Sequence, residues 1–414
     1  MSINKDSQKA PNLRFKDFTD DWEQRKLINV VDRVTRRNTN LQSKTPLTIS
    51  AQFGLVDQIT YFSKQVASKN MENYFLLYNG DFAYNKSYSK GYPFGAIKRL
   101  DSYDSGALST LYIVFRPNIV DYDFLVHYFE TTKWYTEIIK ISAEGARNHG
   151  LLNITPSDFF DIKLFIPSES GEQEKIGTLL NYVEKAITLH QRKLDQLKQL
   201  KEALLQQMFP GKGETVPKLR FAGFEGDWEE RKLGDLLHER NQKSVQTEEY
   251  PLVSFTVENG VTEKTERYNR NQLVSGDSDA KVYKVTKLND IVYNPANLKF
   301  GAIDRNKYGK AVFSPIYVTF EVIEDYIFAE FIEFIVTSQT FIGRALKYQQ
   351  GTVYERQSVG VDDFLNLTIR IPNLDEQKLI GLFLNDLNKK ILLQKDKLDQ
   401  LKNTKQVLLQ NMFI

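Results

Sequence analysis

The chain has 414 residues, of which 41% are hydrophobic and 12% aromatic, with no cysteine and a formal net charge of +2. This length and composition predict two or more globular domains, and they exclude disulfide scaffolds, thiolate metal sites and a cysteine nucleophile. The nearly balanced charge excludes a chain that holds nucleic acid by charge alone, and no apolar run approaches the roughly 18 residues of a membrane span.

The first residues form a polar segment. Residues 1–10 have no apolar core of the kind found in signal peptides, so they predict a tail rather than a leader. The lack of cysteine suits a reducing compartment. We therefore expect a cytoplasmic protein without a membrane partner.

An internal duplication organises the rest of the chain. LRFKDFTDDWEQRKL at residues 13–27 returns as LRFAGFEGDWEERKL at residues 219–233. Residues 81–85 match residues 290–294 in the same way, and later matches keep the same order to the end. The chain is therefore two copies of one unit of about 205 residues, which indicates a duplicated domain rather than a solenoid.

Each copy contains a globular part followed by a long helix. Short runs rich in Val, Ile, Tyr and Phe, typical of strands, lie at residues 111–115, 162–166, 315–320 and 367–371. Helices are predicted at residues 120–141 and 327–348, so both globular parts are mixed α/β (α+β) domains. The predicted segments are a tail (1–10), a first domain (11–167), a first helix (168–209), a linker (210–216), a second domain (217–372) and a second helix (373–414).

Both long helices carry a coiled-coil seam, because apolar residues recur in alternating steps of four and three. The apolar seam residues are Ile176, Leu180, Val183, Ile187, Leu194, Leu197, Leu204, Ile380, Leu384, Leu387, Ile391, Leu398, Leu401 and Leu408. Connectivity favours an antiparallel pair with a domain at each end, related by a pseudo-twofold axis. A parallel coil between two chains is the competing arrangement.

Polar residues interrupt the seam at the same positions in both copies: His190 aligns with Gln394, and Lys201 aligns with Lys405. Such residues fix the register and number of partners in some coiled coils. They also occur in frayed or hydrated layers, and both interpretations stay open.

Catalysis by this chain is not favoured. The four histidines, His127, His149, His190 and His238, show no metal-ligand spacing, and no phosphate-binding glycine loop occurs. Residues 294–297 resemble in part the Asn-Pro-Pro-aromatic motif of amino-methyltransferases, but they lack its second proline and its aromatic residue. We expect no catalytic residue, no metal site and no cofactor in this chain.

Loops in both copies interleave side chains able to contact phosphates, sugars and base edges. The candidate DNA-binding residues are Lys86, Tyr88, Lys90, Tyr92, Lys98, Arg99, Arg147, Asn148, Asn294, Asn297, Lys299, Arg305, Thr352, Tyr354, Arg356 and Gln357. In isolation these are typical of polar surface loops. Their recurrence at matched places in the two copies favours recognition loops.

The repeated opening motif is interpreted differently. It is nearly the same in both copies, whereas two different targets would require different readers. We therefore expect Phe15, Phe18, Trp22 and Leu27 to pack as framework, while the charged residues are solvated or meet a shared partner.

Four features together resemble the specificity (S) subunit of type I restriction–modification systems. They are the Leu-Arg-Phe…Trp-Glu-x-Arg-Lys-Leu opening, the Asp-φ-φ-Tyr-Asn segment, the Ile-Pro…Glu-Gln-x-x-Ile-Gly start of each long helix, and the closing Leu-Leu-Gln-x-Met-Phe. The resemblance covers nearly the whole chain in duplicate.

This resemblance implies a DNA-reading subunit that catalyses nothing. The two domains would be target-recognition domains, each reading half of a bipartite, asymmetric target in double-stranded DNA. The helices would be spacers that set the half-site distance and dock two methyltransferase (M) subunits, with restriction (R) subunits added for host defence. S-adenosylmethionine, ATP and Mg²⁺ are implied for those partners, in a bacterial or archaeal cytoplasm.

Two other functions stay open from the residues alone. One is a DNA adenine methyltransferase acting by itself. The other is a two-headed coiled-coil adaptor that does not bind DNA.

Overall fold

The structure is a computed structural model that describes residues 9–64, 70–142, 152–264, 281–350 and 357–414. It divides into two compact units. Unit 1 comprises the residues up to Arg192 together with Asp396–Ile414, and unit 2 comprises Lys193–Lys395. Each unit therefore contains a globular part and one segment of each long helix. No helix within the described ranges is both long and apolar enough to cross a membrane.

Unit 1 combines short strands with short helices and the start of one long helix. Its strands are β1 (Glu23–Lys26), β2 (Val31–Arg33), β3 (Pro46–Ser50), β4 (Gly54–Asp57), β5 (Phe75–Tyr78), β6 (Phe82–Asn85), β7 (Ala96–Arg99), β8 (Ser105–Leu108), β9 (Ile113–Pro117) and β10 (Lys163–Ile166). Its helices are α1 (Gln58–Phe62), α2 (Tyr122–Glu130), α3 (Tyr135–Ile141), α4 (Pro156–Phe160) and α5 (Ser170–Gln207), the last of which continues into unit 2.

Two four-stranded sheets form the body of unit 1. One is antiparallel, in the order β2-β9-β6-β7. The other has the order β4-β3-β8-β5 and contains one parallel pair, β3 with β8. Strand β1 pairs with β10, so that Glu23 lies opposite Ile166 and the first strand of the domain meets its last just before α5 begins.

Unit 2 repeats this organisation with further short strands. Its strands are β11 (Glu229–Lys232), β12 (Leu237–Glu239), β13 (Lys243–Ser244), β14 (Val253–Thr256), β15 (Gly260–Glu263), β16 (Tyr283–Thr286), β17 (Ile291–Tyr293), β18 (Ile303–Arg305), β19 (Ala311–Phe313), β20 (Val318–Val322), β21 (Gln349–Gln350), β22 (Ser358–Val359) and β23 (Thr368–Ile371). Its helices are α6 (Ala329–Val336), α7 (Gln339–Ala345), α8 (Val361–Leu365) and α9 (Leu374–Asn411), the last of which ends in unit 1.

The duplicated sequence forms the same sheet twice. The order β12-β20-β17-β18 in unit 2 is the counterpart of β2-β9-β6-β7 in unit 1. Strand β11 also pairs with β23 as β1 pairs with β10, with Glu229 opposite Ile371. The mixed α/β fold class predicted from the sequence is confirmed.

The two medium-length helices predicted from the sequence are each broken in two. In unit 1 the break follows α2, where the Thr131 hydroxyl donates to the carbonyl oxygen of Tyr128 and the backbone of Thr131 becomes extended. In unit 2 the Ser338 hydroxyl accepts from the amide of Phe341 and starts α7. Threonine and serine side chains compete with the helix for backbone partners, which explains both breaks.

Helices α5 and α9 each contain 38 residues and lie within the predicted segments 168–209 and 373–414. Every apolar seam position named above is buried or partly buried, whereas most of the positions between them are exposed. The polar seam residues are also withdrawn from solvent: Gln394 is buried, and His190, Lys201 and Lys405 are partly buried.

Within unit 1 the two helix segments run antiparallel. The amide of Leu13 donates to the carbonyl oxygen of Asn411, while the neighbouring Arg14 pairs with Glu172, so the end of α9 lies beside the start of α5. Further along, Lys405 of α9 pairs with Glu184 of α5.

Within unit 2 the equivalent contacts give the same direction. The amide of Leu219 donates to the carbonyl oxygen of Gln207, and Arg220 pairs with Glu376, so the end of α5 lies beside the start of α9. Leu204 also packs on the core that contains Leu384.

A buried tryptophan anchors each core. The Trp22 ring meets Phe124 edge-on at 5.7 Å and Phe413 at 6.4 Å between centroids. The Trp228 ring is tilted against Phe331, with 5.7 Å between centroids, and meets Phe209 edge-on at 6.0 Å. Both tryptophans are buried, so the predicted framework role of Trp22 is confirmed.

The same motif also supplies Leu27, which is fully buried, and Phe15 and Phe18, which are partly buried. Framework packing therefore holds for all four apolar residues predicted to have it.

Two helical glycines let the long helices approach the globular parts. A Cβ atom on Gly177 of α5 would lie 2.8 Å from the amide nitrogen of Phe124, at the start of α2. A Cβ atom on Gly381 of α9 would lie 3.0 Å from the amide nitrogen of Phe331. Both glycines belong to the repeated Ile-Gly sequence, so the close approach is part of the duplicated framework.

We expect Gly177→Ala to destabilise the chain by about 1–3 kcal/mol, because the added methyl group overpacks the contact with α2. Gly343→Ala is the matched control, since Gly343 is also helical and has no atom within 4 Å of its added Cβ. The control should gain up to about 1 kcal/mol from helix propensity. Urea unfolding of both variants measures the difference, and equal effects would contradict the close-contact interpretation.

Candidate nucleic-acid interface

The repeated opening motif holds each domain to its long helix through a buried ion pair. The Arg14 guanidinium donates from Nε to Glu172 Oε1 at 2.7 Å and from Nη2 to Glu172 Oε2 at 2.8 Å. Arg220 makes the same two-bond pair with Glu376, with both distances 2.7 Å. Both carboxylates are fully buried. The expectation that the motif's charges are solvated or meet a shared partner is therefore wrong for these arginines, which bind within their own unit.

The glutamine that follows each of these glutamates extends the framework. Gln173 accepts from the amide of Asp121, where α2 begins, and donates to the carbonyl oxygen of Pro167. Gln377 accepts from the amide of Phe328 and donates to the carbonyl oxygen of Pro372. The Glu-Gln pair therefore fixes the start of each long helix to the domain in both copies.

The Asp-φ-φ-Tyr-Asn segments are framework as well. Tyr84 is buried and donates its hydroxyl to the carbonyl oxygen of Phe94, and burial raises the pKa of this phenol. Tyr293 is its counterpart and donates to the carbonyl oxygen of Val359. The first bond closes the loop between β6 and β7, whereas the second ties the end of β17, where the loop between β17 and β18 begins, to β22.

Each loop begins with an asparagine that bonds to its own backbone. The side-chain oxygen of Asn85 accepts from the amide of Ser87, and that of Asn294 accepts from the amide of Ala296. The first loop ends at Gly95, whose φ of +78° and closeness to the carbonyl oxygen of Asn85 leave no room for a side chain. The two loops are therefore built in the same way at their starts.

In unit 1 the loop exposes part of the predicted set. The Tyr88 side chain is 56% exposed and Lys90 is exposed, whereas Tyr92 is partly buried. Lys86 donates to the carbonyl oxygen of Ile154. Lys98 lies on β7 and is partly buried.

Arg99 is also on β7, and its guanidinium binds Asp101 at 2.5 Å and Asp123 at 2.6 Å. These contacts commit it to the domain rather than to a ligand.

In unit 2 the loop exposes Asn297, and Lys299 lies 5.3 Å from the centroid of Phe300. Asn294 is buried at the base of the loop. Arg305 is buried too and binds Glu333 at 2.7 Å and Glu330 at 3.4 Å. The positions of Asn294 and Arg305 indicate framework roles in this arrangement.

The remaining predicted contacts cannot be placed in the same loops. Gln357 is partly buried. Arg147, Asn148, Thr352, Tyr354 and Arg356 lie outside the described residues.

Phe300 was not predicted as a site residue, yet its side chain is 65% exposed at the tip of the second loop. Its counterpart Phe94 instead packs against Tyr135, with 4.9 Å between ring centroids. The repeated Phe-Gly-Ala-Ile pattern does not distinguish the two residues, and the signal at Phe300 is the adjoining Lys299. The same framework position is therefore packed against the core in one unit and exposed at the surface in the other.

Side chains able to bind a metal ion are dispersed among the described residues. The described residues contain no group of three or more histidine, cysteine, aspartate or glutamate side chains able to hold a metal ion. The ring of His127 is buried, with Nδ1 3.1 Å from Glu130 and Nε2 3.0 Å from Asn181. This histidine joins α2 to α5.

A polar network around Lys405 links three helices of unit 1. The Lys405 ammonium lies 3.0 Å from the carboxylate of Glu130 on α2 and also pairs with Glu184 on α5. Burial alone would raise the pKa of Glu130. Hydrogen bonding from His127 and the charge of Lys405 outweigh this effect and lower the pKa to about 2. This seam lysine thus serves as a fixed contact between the helices and the domain.

The second copy matches a known family. Residues 225–403 match the family model of the type I restriction modification DNA specificity domain. No curated protein matches the sequence significantly.

Solved structures match over nearly the full length. A type I restriction–modification S subunit from M. genitalium aligns with 98% of this chain and 99% of its own, at 14% identity and a TM-score of 0.61. The HsdS subunit from Thermoanaerobacter tengcongensis aligns with 95% of this chain and 96% of its own, at 15% identity and a TM-score of 0.44.

The chain therefore has the two-domain fold of a type I S subunit. Its second copy matches the type I DNA specificity domain, and both findings agree with the resemblance to a specificity (S) subunit found in the sequence motifs.

The Lys405 network should make the folding stability of the chain depend on pH. The pKa of Glu130 is about 2 in the folded chain against an ordinary 4.5, so its contribution is complete above about pH 4.5 and is lost as the pH falls toward 2. We expect Glu130→Gln to lose about 3 kcal/mol near neutral pH, with a difference from the unmodified chain that disappears near pH 2.

Urea unfolding from pH 7 to pH 2 measures this difference. Glu174→Gln serves as the control because Glu174 is exposed on α5. Parallel pH curves for Glu130→Gln and the unmodified chain would contradict the role assigned to Glu130.

Proposed function

We propose that this chain reads the DNA target of a type I restriction–modification complex and catalyses nothing itself. Residues 11–167 and 217–372 are target-recognition domains, each reading one half of a bipartite, asymmetric site in double-stranded DNA. The long helices set the distance between half-sites and dock two methyltransferase subunits, to which restriction subunits are added. The complex works in the bacterial or archaeal cytoplasm.

One observation carries this proposal: two equal frameworks present different side chains at the same loop. In unit 1 the β6–β7 loop exposes Tyr88 and Lys90, whereas the β17–β18 loop of unit 2 exposes Asn297 and Phe300. Lysine suits phosphates, asparagine suits adenine edges, and aromatic rings suit sugars and base faces. A shared frame with different tips is what reading two unlike half-sites requires.

Exposed apolar side chains on the long helices support docking of two equal partners. Leu189 of α5 and Leu393 of α9 occupy equivalent repeat positions and are 65% and 68% exposed. Tyr182 and Leu392 add further exposed apolar surface. Large exposed apolar groups on a helix favour a protein partner, and equivalent groups in both copies favour a pair of them.

Cofactors belong to the partners in this proposal. Methyl transfer would use S-adenosylmethionine held by the methyltransferase subunits, and the restriction subunits would use ATP and Mg²⁺. Methyl transfer by this chain alone would contradict the proposal. Absence of any DNA footprint in the assembled complex would favour a coiled-coil adaptor instead.

The loop tips are tested first. With the methyltransferase partner present and the target known from methylome sequencing, Tyr88→Ala with Lys90→Ala should weaken binding to the target duplex by roughly 10- to 100-fold. Asn297→Ala with Phe300→Ala should do the same through the other half-site. Binding is measured at one fixed salt concentration, because phosphate contacts depend on salt.

The control for the loop variants is Lys163→Ala, which removes an exposed lysine that belongs to β10 and not to the β6–β7 loop. It should leave target affinity unchanged. Equal affinity of the loop variants and the unmodified complex for target and scrambled duplexes would contradict recognition by these loops.

The spacer role is tested by deleting matched heptads, residues 187–193 and 391–397, one from each helix. Removing seven residues shortens each helix by about 10 Å, or roughly 3 bp of DNA. Methylome sequencing should then show a shorter gap between the half-sites or no methylation. A double control, Lys193→Ala with Lys397→Ala, keeps the helix length and should keep the gap. A shortened complex that methylates the original gap would refute the spacer role.

A further inference from the structure

Unit 1 contains a cavity that the DNA-reading proposal does not use. Its volume is about 260 Å³, and it lies between β7, the end of α2, the start of α3 and the last turns of α9. The wall combines aromatic and cationic groups, including Tyr92, Trp134, Tyr135, Lys98, Lys402 and Lys405. Ligand sites in proteins show this combination of apolar walls and a few convergent polar groups.

The charges at the cavity do not balance. Lys405 is paired with both Glu130 and Glu184, and Glu130 also bonds to His127, so these two carboxylates are already engaged. Lys98 and Lys402 make no ion pair with any residue in the described ranges. Three ammonium groups therefore face two carboxylates.

Lys98 bears the consequence of this imbalance. Burial is the main cause that lowers the pKa of Lys98, the charge of Lys405 adds to this lowering, and the carboxylates of Glu130 and Glu184 oppose it. A desolvated ammonium without a carboxylate in direct contact is unfavourable, whereas an anion placed beside it would form charge-assisted hydrogen bonds.

The duplicated framework does not explain Lys98. The equivalent position in unit 2 is Asp304, because Phe94-Gly-Ala-Ile-Lys98 aligns with Phe300-Gly-Ala-Ile-Asp304. Asp304 lies 3.4 Å from Lys307, which also pairs with Glu333. The excess positive charge is therefore a property of unit 1 alone.

We propose that this cavity binds a phosphate group carried by a nucleotide-sized compound. Lys98 and Lys402 contact the phosphate, because lysine ammonium groups suit it as point charges. Tyr92, Trp134 and Tyr135 offer apolar surface to an attached ring, and about 260 Å³ is near the lower limit for an organic ligand. Since Lys98 is on β7 and Lys402 on α9, an occupant links the recognition domain to the end of the spacer helix within unit 1.

Two sources can supply this phosphate, a free nucleotide or the backbone of DNA. Tyr92 belongs to both the β6–β7 loop and the cavity wall, so the cavity adjoins the candidate nucleic-acid interface. The experiment therefore includes an arm for each source.

The test titrates the full chain with deoxyadenosine monophosphate, and with deoxyadenosine as the phosphate-free match, by isothermal titration calorimetry. The monophosphate should bind once per chain and at least about 10-fold more tightly than the nucleoside. Lys98→Met should weaken binding of the monophosphate by about 10-fold or more. Lys44→Met, which removes an exposed lysine outside the cavity, should leave the affinity unchanged.

Stability measurements separate loss of binding from loss of folding. Lys98→Met removes a desolvated charge, so its thermal midpoint without ligand should equal or exceed that of the unmodified chain, and the ligand should no longer raise it. Lys98→Arg keeps the charge and should retain binding. If Lys98→Met does not fold, Lys402→Met, with its exposed side chain, takes its place and should weaken monophosphate binding.

The source is distinguished by competition. If an unrelated DNA duplex displaces the monophosphate, and Lys98→Met also weakens binding of that duplex, the site holds a DNA phosphate. If the duplex and the monophosphate bind together, the site holds a free nucleotide. Absence of saturable binding up to about 10 mM, or equal binding by Lys98→Met, overturns the proposal and leaves DNA reading by the loops unaffected.

Discussion

The buried pair between arginine and glutamate, Arg14 with Glu172 and Arg220 with Glu376, is the contact on which each unit depends. A fully buried carboxylate is unfavourable unless a partner engages both its oxygens, and the guanidinium does so with two parallel bonds. Removing one partner leaves a buried charge, which costs about 3–5 kcal/mol. The pair joins the beginning of the domain to the beginning of its long helix.

Other repeated features lie close to this pair along the helix. Gln173 is the next residue and fixes the start of α2, and Gly177 lies one turn further on, where α2 comes closest. Together they hold the domain against the helix by contacts that involve none of the loop tips. Substitutions at Tyr88 or Phe300 can therefore occur without disturbing these framework contacts.

The sequence was sufficient for the features that depend on periodicity and repetition. The duplication, the two long helices, the mixed domains and the packing of Trp22 all follow from patterns within the chain. The breaks at Thr131 and Ser338 were not predicted, because they arise from side chains that bond to the backbone nearby.

Contacts between distant residues explain why the candidate site was harder to predict. Arg305 has the composition of a DNA contact, but Glu333 and Glu330 on α6 engage it, and nothing in its local sequence reveals this. Phe300 shows the reverse, since its repeat partner Phe94 is packed against Tyr135 while Phe300 is exposed. Repetition identifies the framework reliably, but whether a framework residue is covered depends on what the fold brings over it.

The burial of the end of α9 in unit 1 affects the order in which the two units can fold during synthesis. Met412 and Phe413 are buried in the core of unit 1 beside Trp22, which lies near the other end of the chain. A ribosome that has released the first domain has not yet produced the residues that complete its core. Unit 2, which ends at Lys395, can be finished earlier, although domains at the start of a chain usually fold first. During synthesis the first domain therefore cannot complete its core until the end of α9 has been made. In that interval it is more vulnerable to proteases and aggregation than unit 2.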